Sequence, residues 1–139
     1  MSQAIKNLVD AQQFAMSIRP KVGGFPYLAE ALRLAGVTSN IWHLPSCQSL
    51  YVTKLGKVMN QGTPLLNGMA EVPQFDREAL VRALRTDQEG RSTFSEFLQS
   101  VWGAGVVKYD VDFEKRQCIY FGVKGEAYVE VYPAVDLKR

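Results

Sequence analysis

Apolar and charged positions alternate most sharply near the carboxyl end. There Val107, Tyr109, Val111 and Phe113 interleave with Lys108, Asp110 and Asp112. A period of two predicts a strand with one face against a core and the other in water. After a polar turn at Glu114–Arg116, Ile119, Phe121 and Val123 are expected to continue the inner face, with Cys118 and Tyr120 outside. A turn at Lys124-Gly125 leads to Ala127, Val129 and Val131, which alternate with Glu126, Tyr128, Glu130 and Tyr132 until Pro133 ends the strand. The pattern predicts an antiparallel meander packed on helices through one face.

Upstream the period lengthens. Ile5, Leu8, Val9, Ala15 and Ile18 recur at three- and four-residue steps, predicting a first helix over about 3–18 that Pro20 and Gly23-Gly24 end. A second helix starts at Pro26, carries Leu28, Ala31, Leu32 and Ala35, and stops at a left-handed Gly36. Asp76 is placed to cap a third helix, with Phe75 and Leu80 as a hydrophobic staple and Leu80, Val81 and Leu84 as its buried stripe. Thr93-Phe94-Ser95-Glu96 reads as a capping box opening a fourth, in which Phe94, Phe97, Leu98 and Val101 face inward until Gly103 and Gly105.

The chain also nearly repeats itself. A shift of 69 residues without a gap places Phe25, Ala35-Gly36-Val37, Gln48, Tyr51 and Gly56 on Phe94, Ala104-Gly105-Val106, Gln117, Tyr120 and Gly125. Leu28, Leu32, Leu50 and Val52 meet Phe97, Val101, Ile119 and Phe121, so apolar character is kept as well. Carried to the first unit, the offset expects Trp42, Leu44, Leu50 and Val52 inside and His43, Cys47 and Tyr51 outside. Residues 54–73 hold several turn signals, and one or two short strands are expected there, around Val58 and around Met69–Val72, with a mobile loop between them. The expected architecture is α+β: two helix-helix-strand-strand repeats, at about 3–60 and 74–133 of one domain spanning 1–139, forming an antiparallel sheet with helices on one face.

Composition narrows the function classes. The 139 residues are 47% hydrophobic and 22% charged, as in an ordinary globular protein long enough to bury a core without staples. Sixteen Lys and Arg against fourteen Asp and Glu leave a net charge of +2 with the signs interspersed, so no basic stripe for nucleic acid is evident. No apolar run approaches the length of a membrane span, and the amino-terminal segment lacks the apolar block of a signal peptide. A cytoplasmic protein is expected, with Cys47 and Cys118 as free thiols.

Catalytic chemistry has few candidates: His43, Cys47, Cys118 and Asp110. His43 is the sole histidine and lies four residues before Cys47, a spacing at which a thiol–imidazole pair needs contact across a turn and a third orienting group. His43, Cys47 and Cys118, completed by Asp110 or Glu130, fall short of a convincing zinc set, and neither metal nor cofactor is expected. Asp110, Asp112, Glu126 and Glu130 beside Lys108 would offer acid–base chemistry in a pocket, but an alternately charged, solvated strand face explains them as well. The sequence ends a helix at Gly103-x-Gly105 where a phosphate loop would open one. Tyr51, Tyr120, Tyr128 and Tyr132, all expected on the outer face, suggest a binding surface for a protein partner or a second copy.

The blocks Leu84–Gly90, Thr93–Phe97, Ala104-Gly105-Val106 and Tyr109-Asp110-Val111-Asp112 running on to Cys118-Ile119-Tyr120 resemble the YbcV-like family, domain of unknown function 1398, which often carries the label "phage envelope protein". The resemblance runs from about Phe25 to Pro133, with Tyr109 standing where the family pattern favours tryptophan. It implies a small bacterial or prophage-associated α+β domain and no established activity. The functional expectation is a binding or interaction module, self-associating through its open sheet face; the alternative is a small enzyme with a cleft near His43, Cys118 and the outer carboxylates.

Overall fold

Side-chain caps set the helix starts. In the computed structural model, which describes residues 2–137, Ser2 Oγ accepts the Ile5 N–H at 3.2 Å and opens α1 (Gln3–Ile18). Asp76 accepts from the Ala79 N–H at 3.0 Å and opens α3 (Arg77–Gln88). Thr93 and Glu96 form the reciprocal capping box of α4 (Phe94–Gly103). Such a box satisfies two backbone N–H groups that the first turn leaves without partners. Only α2 (Phe25–Leu34) lacks a side-chain cap; it begins with Pro26 in its first turn, where no N–H is needed.

Six strands follow the helices in two groups: β1 (Val37–His43), β2 (Gln48–Thr53) and β3 (Gly56–Gln61), then β4 (Lys108–Asp112), β5 (Gln117–Phe121) and β6 (Ala127–Val131). They make one sheet in the order β3-β2-β1-β4-β5-β6, antiparallel throughout. Two meanders therefore meet at the central β1–β4 pair, with β3 and β6 at the edges. α2 and α4 occupy residues 69 apart at both ends, and each stops at a glycine with φ 90°, Gly36 and Gly105. Cys47 and Arg116, also 69 apart, are the non-glycine residues with positive φ among those described, at 60° and 54°. Each group holds three strands, one more than a helix-helix-strand-strand unit counts: the third is the strand expected around Val58 in the first group and the one before Pro133 in the second.

The units interlock. Phe25 of α2 meets the Tyr132 ring edge-on at 5.1 Å, just past β6, and Phe94 of α4 meets Trp42 of β1 at 5.2 Å. At the far ends, Gly23 N–H donates to the Gln88 carbonyl at 3.2 Å, tying the α1–α2 loop to the end of α3. One contiguous core joins Leu8, Leu32, Leu80, Leu84, Leu98 and Val101 from the helices to Trp42, Tyr51, Tyr109, Val111, Cys118 and Tyr120 from the sheet.

Two expectations about faces are corrected. In α1 the buried stripe is Ala4, Leu8, Ala11 and Ala15, and Ile5 is exposed. In the sheet the inside–outside parity of β2, β5 and β6 is reversed. Residues directly opposite on antiparallel strands share a face, and Tyr109 pairs with Tyr120, Val111 with Cys118, and Asn40 with Tyr51. Tyr109 and Val111 point to the helices, so Cys118, Tyr120 and Tyr51 do too. Ile119, Phe121, Leu50 and Val52 are on the other side, as are Val129 and Val131. Both sides of β5 are apolar, so hydrophobicity alone does not reveal its parity. Phe94 is likewise exposed in part, its ring lying over Trp42. The strand expected around Val58 is β3; the segment around Met69–Val72 has no regular structure.

Candidate functional site

The sequence-predicted catalytic candidates do not come together. His43 is exposed at the end of β1 on the outer face, opposite Lys108. Cys47 lies in the following turn, where its N–H donates to the His43 carbonyl at 2.9 Å; its side chain is 1% exposed. Burial pushes the Cys47 thiol above its ordinary range. Cys118 is buried on the opposite side of the sheet from His43, and desolvation pushes its thiol up to about 12. A thiol in that state is no nucleophile at neutral pH. Thus a cleft shared by His43, Cys118 and the outer carboxylates does not form, because the sheet separates them. Among the described residues no three His, Cys, Asp or Glu side chains are grouped to hold a metal ion.

The four tyrosines line the helix-covered face instead of the open one. Tyr51 and Tyr120 are buried, and Tyr128 and Tyr132 are half-buried against the same core. Desolvation raises the hydroxyl pKa of Tyr51, Tyr120 and Tyr132. Arg77 sits over the Tyr128 ring at 5.2 Å. Trp42 and Tyr109 stack in the same layer at 6.0 Å, and the Trp42 indole N–H donates to Asn40 Oδ1 at 2.6 Å. Asn40 in turn donates to the Leu50 carbonyl at 3.0 Å, so this buried amide has partners on both sides.

The carboxylates divide between the faces. Glu130 turns inward and pairs with Arg85 of α3, with Gln88 donating to the same oxygen. Glu126 closes its own turn by accepting the Lys124 N–H at 2.9 Å. Asp112 accepts from the N–H groups of Glu114 and Lys115, at 3.0 Å each, and shapes the β4–β5 turn. Asp110 stands in the open face as Asp112 does, 3.5 Å from Lys108 Nζ through Oδ2. Its Oδ1 is shielded from solvent and has no hydrogen-bond partner among the described residues.

That open face is the most extensive surface feature of the sheet, and sequence reasoning populated it with the wrong side chains. Pairing register aligns one row across all strands: Met59, Leu50, Ile41, Asp110, Ile119 and Val129. Val52, Phe121 and Val131 flank it. Met59, Val129 and Val131 are more than half exposed, at 57%, 52% and 72%. An apolar row broken only by Asp110 is unusual on a surface facing water. The signal for it lay in the register of β4 with β5, which periodicity does not report.

A family model described as "Protein of unknown function (DUF1398)" matches residues 12–130. Uncharacterised proteins from two strains of Mycobacterium tuberculosis and from Mycobacterium bovis are each 55% identical to this chain over 136 residues, covering 98% of it and 83% of their own length.

Proposed function

The chain belongs to the DUF1398 family of proteins of unknown function, and we propose that it is a binding module whose open sheet face pairs with a second copy of itself. The observation that carries this reading is the apolar row from Met59 to Val129, which water would otherwise cover. Its extent suits a twofold interface. Six strands spaced at about 4.8 Å, with three outward positions each at roughly 6.8 Å intervals, give a face of roughly 600 Å². Two such faces would bury about 1,200 Å², the lower edge of stable interfaces.

Charge favours a like partner too. Lys57 and Lys108 share the face with Asp110 and Asp112, so two copies meet without net repulsion. The YbcV-like resemblance and its phage label support a bacterial or prophage-associated setting, and a cytoplasmic location goes with it. Among the described residues no helix is long and apolar enough to cross a membrane.

Sedimentation tests the reading. The protein is expected to sediment as a dimer at micromolar concentration, and Leu50→Lys with Ile119→Lys to sediment as a monomer with its circular dichroism retained. A parent protein that stays monomeric up to millimolar concentration refutes it.

A further inference from the structure

Where α2 ends against the sheet, Arg33, Lys54 and Arg116 converge on a cavity of about 180 Å³ that Gly36, Thr38 and Glu114 also line. Arg33 is held by a two-pronged bond to Glu30, at 2.8 and 2.6 Å, and Arg116 approaches the same carboxylate at 3.9 Å. One carboxylate thus serves two guanidinium groups. Lys54 lays its aliphatic stem over Gly36 and has no ion pair among the described residues. Counting Glu30 and the exposed Glu114, the site keeps an excess of positive charge.

The fold does not demand these charges. At a shift of 69 residues the matching positions are Gln99 for Glu30, Trp102 for Arg33, Val123 for Lys54 and Cys47 for Arg116. The two settings share helix ends at Gly36 and Gly105 and left-handed residues at Cys47 and Arg116, although the Cys47 turn contains the cis Leu44–Pro45 bond. One setting carries no cation at these positions, and the other gathers three around a cavity. Arg116 moreover occupies a conformation that glycine or asparagine adopts with less strain, so its side chain is retained at some conformational cost.

We propose that this corner binds a small oxyanion, a phosphate or carboxylate group, clamped by Arg33 and Arg116 and neutralised by Lys54. Arg33 keeps Nη1 outside its two-pronged bond to Glu30, and planar guanidinium groups match such anions in geometry as well as charge; a half-buried setting strengthens the attraction over that in open water. The helix end opposes an anion only weakly, because the Ala35 and Gly36 N–H groups already engage the carbonyls of Ala31, Leu32 and Arg33.

Titrating ¹⁵N-labelled protein with sodium phosphate and, separately, with sodium acetate, each against sodium chloride at matched ionic strength, tests the site. Saturable amide shifts at Gly36, Thr38, Lys54 and Arg116 are expected with a Kd of about 1 mM or below. Saturation by phosphate alone assigns a phosphate group, and saturation by acetate assigns a carboxylate. Lys54→Met and Arg116→Gly should each weaken binding about tenfold. Both keep the fold accessible, since Lys54 is exposed and glycine suits the left-handed position. Linear shifts with both anions up to roughly 20 mM, or unchanged affinity in both variants, overturn the proposal.

Discussion

Ile41 and Asp110 face each other at the middle of the β1–β4 pair, and they occupy the same position of the two units, 69 residues apart. Pairing on either side of them runs symmetrically, Ser39 with Asp112 and His43 with Lys108. A local twofold relation between the meanders therefore passes through one apolar and one acidic residue. The difference between these two side chains interrupts the apolar row at its centre.

The same equivalence gives a paired test at the helix stops. Gly36 and Gly105 both have φ 90°, but a Cβ on Gly36 would lie 3.7 Å from the Lys54 stem, whereas one on Gly105 would lie 2.5 Å from the Gln74 carbonyl oxygen. Gly36→Ala should cost about 1–2 kcal/mol for the left-handed backbone alone. Gly105→Ala should cost clearly more, because the clashing group is main chain. Urea unfolding of the two variants measures the difference, and equal losses would contradict the packing described at Gln74.

Asn40→Ala should destabilise the protein by about 1–3 kcal/mol, since it leaves the Trp42 indole N–H buried with no acceptor. Trp42→Phe in the same background removes the orphaned donor, so the double variant should lose less than the sum of the single ones. A double-mutant cycle by chemical denaturation reads this coupling directly.

Both cysteines are free and buried, so both thiols should titrate only after unfolding. With Ellman's reagent the native protein is expected to react slowly at pH 8, and the denatured one promptly with two equivalents, without reductant. Because the folded Cys118 thiol is held near 12, above an ordinary value of 9.0, it adds stability at neutral pH that fades as pH rises from about 9 toward 12. Cys118→Ala should accordingly soften the alkaline fall in melting temperature.

Glu30 works in the opposite direction. Hydrogen bonding from Arg33, aided by the charges of Arg33 and Arg116 and opposed by partial burial, holds its carboxyl below the ordinary 4.5. Its contribution is present above that value and lost as pH falls through the depressed folded pKa. Glu30→Gln should lower the melting temperature near pH 7, and the gap to the parent should close below pH 4.5. A gap independent of pH would mean that the two arginines do not depend on its charge.

Much of the architecture was legible in the chain because it rests on local chemistry. Thr93 and Glu96 three residues apart, Asp76 ahead of an apolar stripe, and glycines at the ends of α2 and α4 each act within one turn. The inside and outside of β5 were not legible. Cys118, Ile119, Tyr120 and Phe121 are all apolar enough for either face, and only pairing with Tyr109 and Val111 decides which is covered. That parity carried the tyrosines inward and put Leu50 and Ile119 on the surface. The basic corner was missed for a related reason: Arg33, Lys54 and Arg116 come from three separate elements and leave no spacing to read.

The strand order has a kinetic consequence. Pairings within β1-β2-β3 and within β4-β5-β6 join strands adjacent in sequence, and β1–β4 is the one sheet contact that spans the chain. Each meander forms by closing short loops, while the central pair must bring residues such as Ile41 and Asp110 together across two intervening strands and two helices. Closing that longer loop costs conformational entropy before the shared core repays it. Substitutions at the β1–β4 seam should therefore alter the folding rate, and those at the outer edges of β3 and β6 chiefly the unfolding rate.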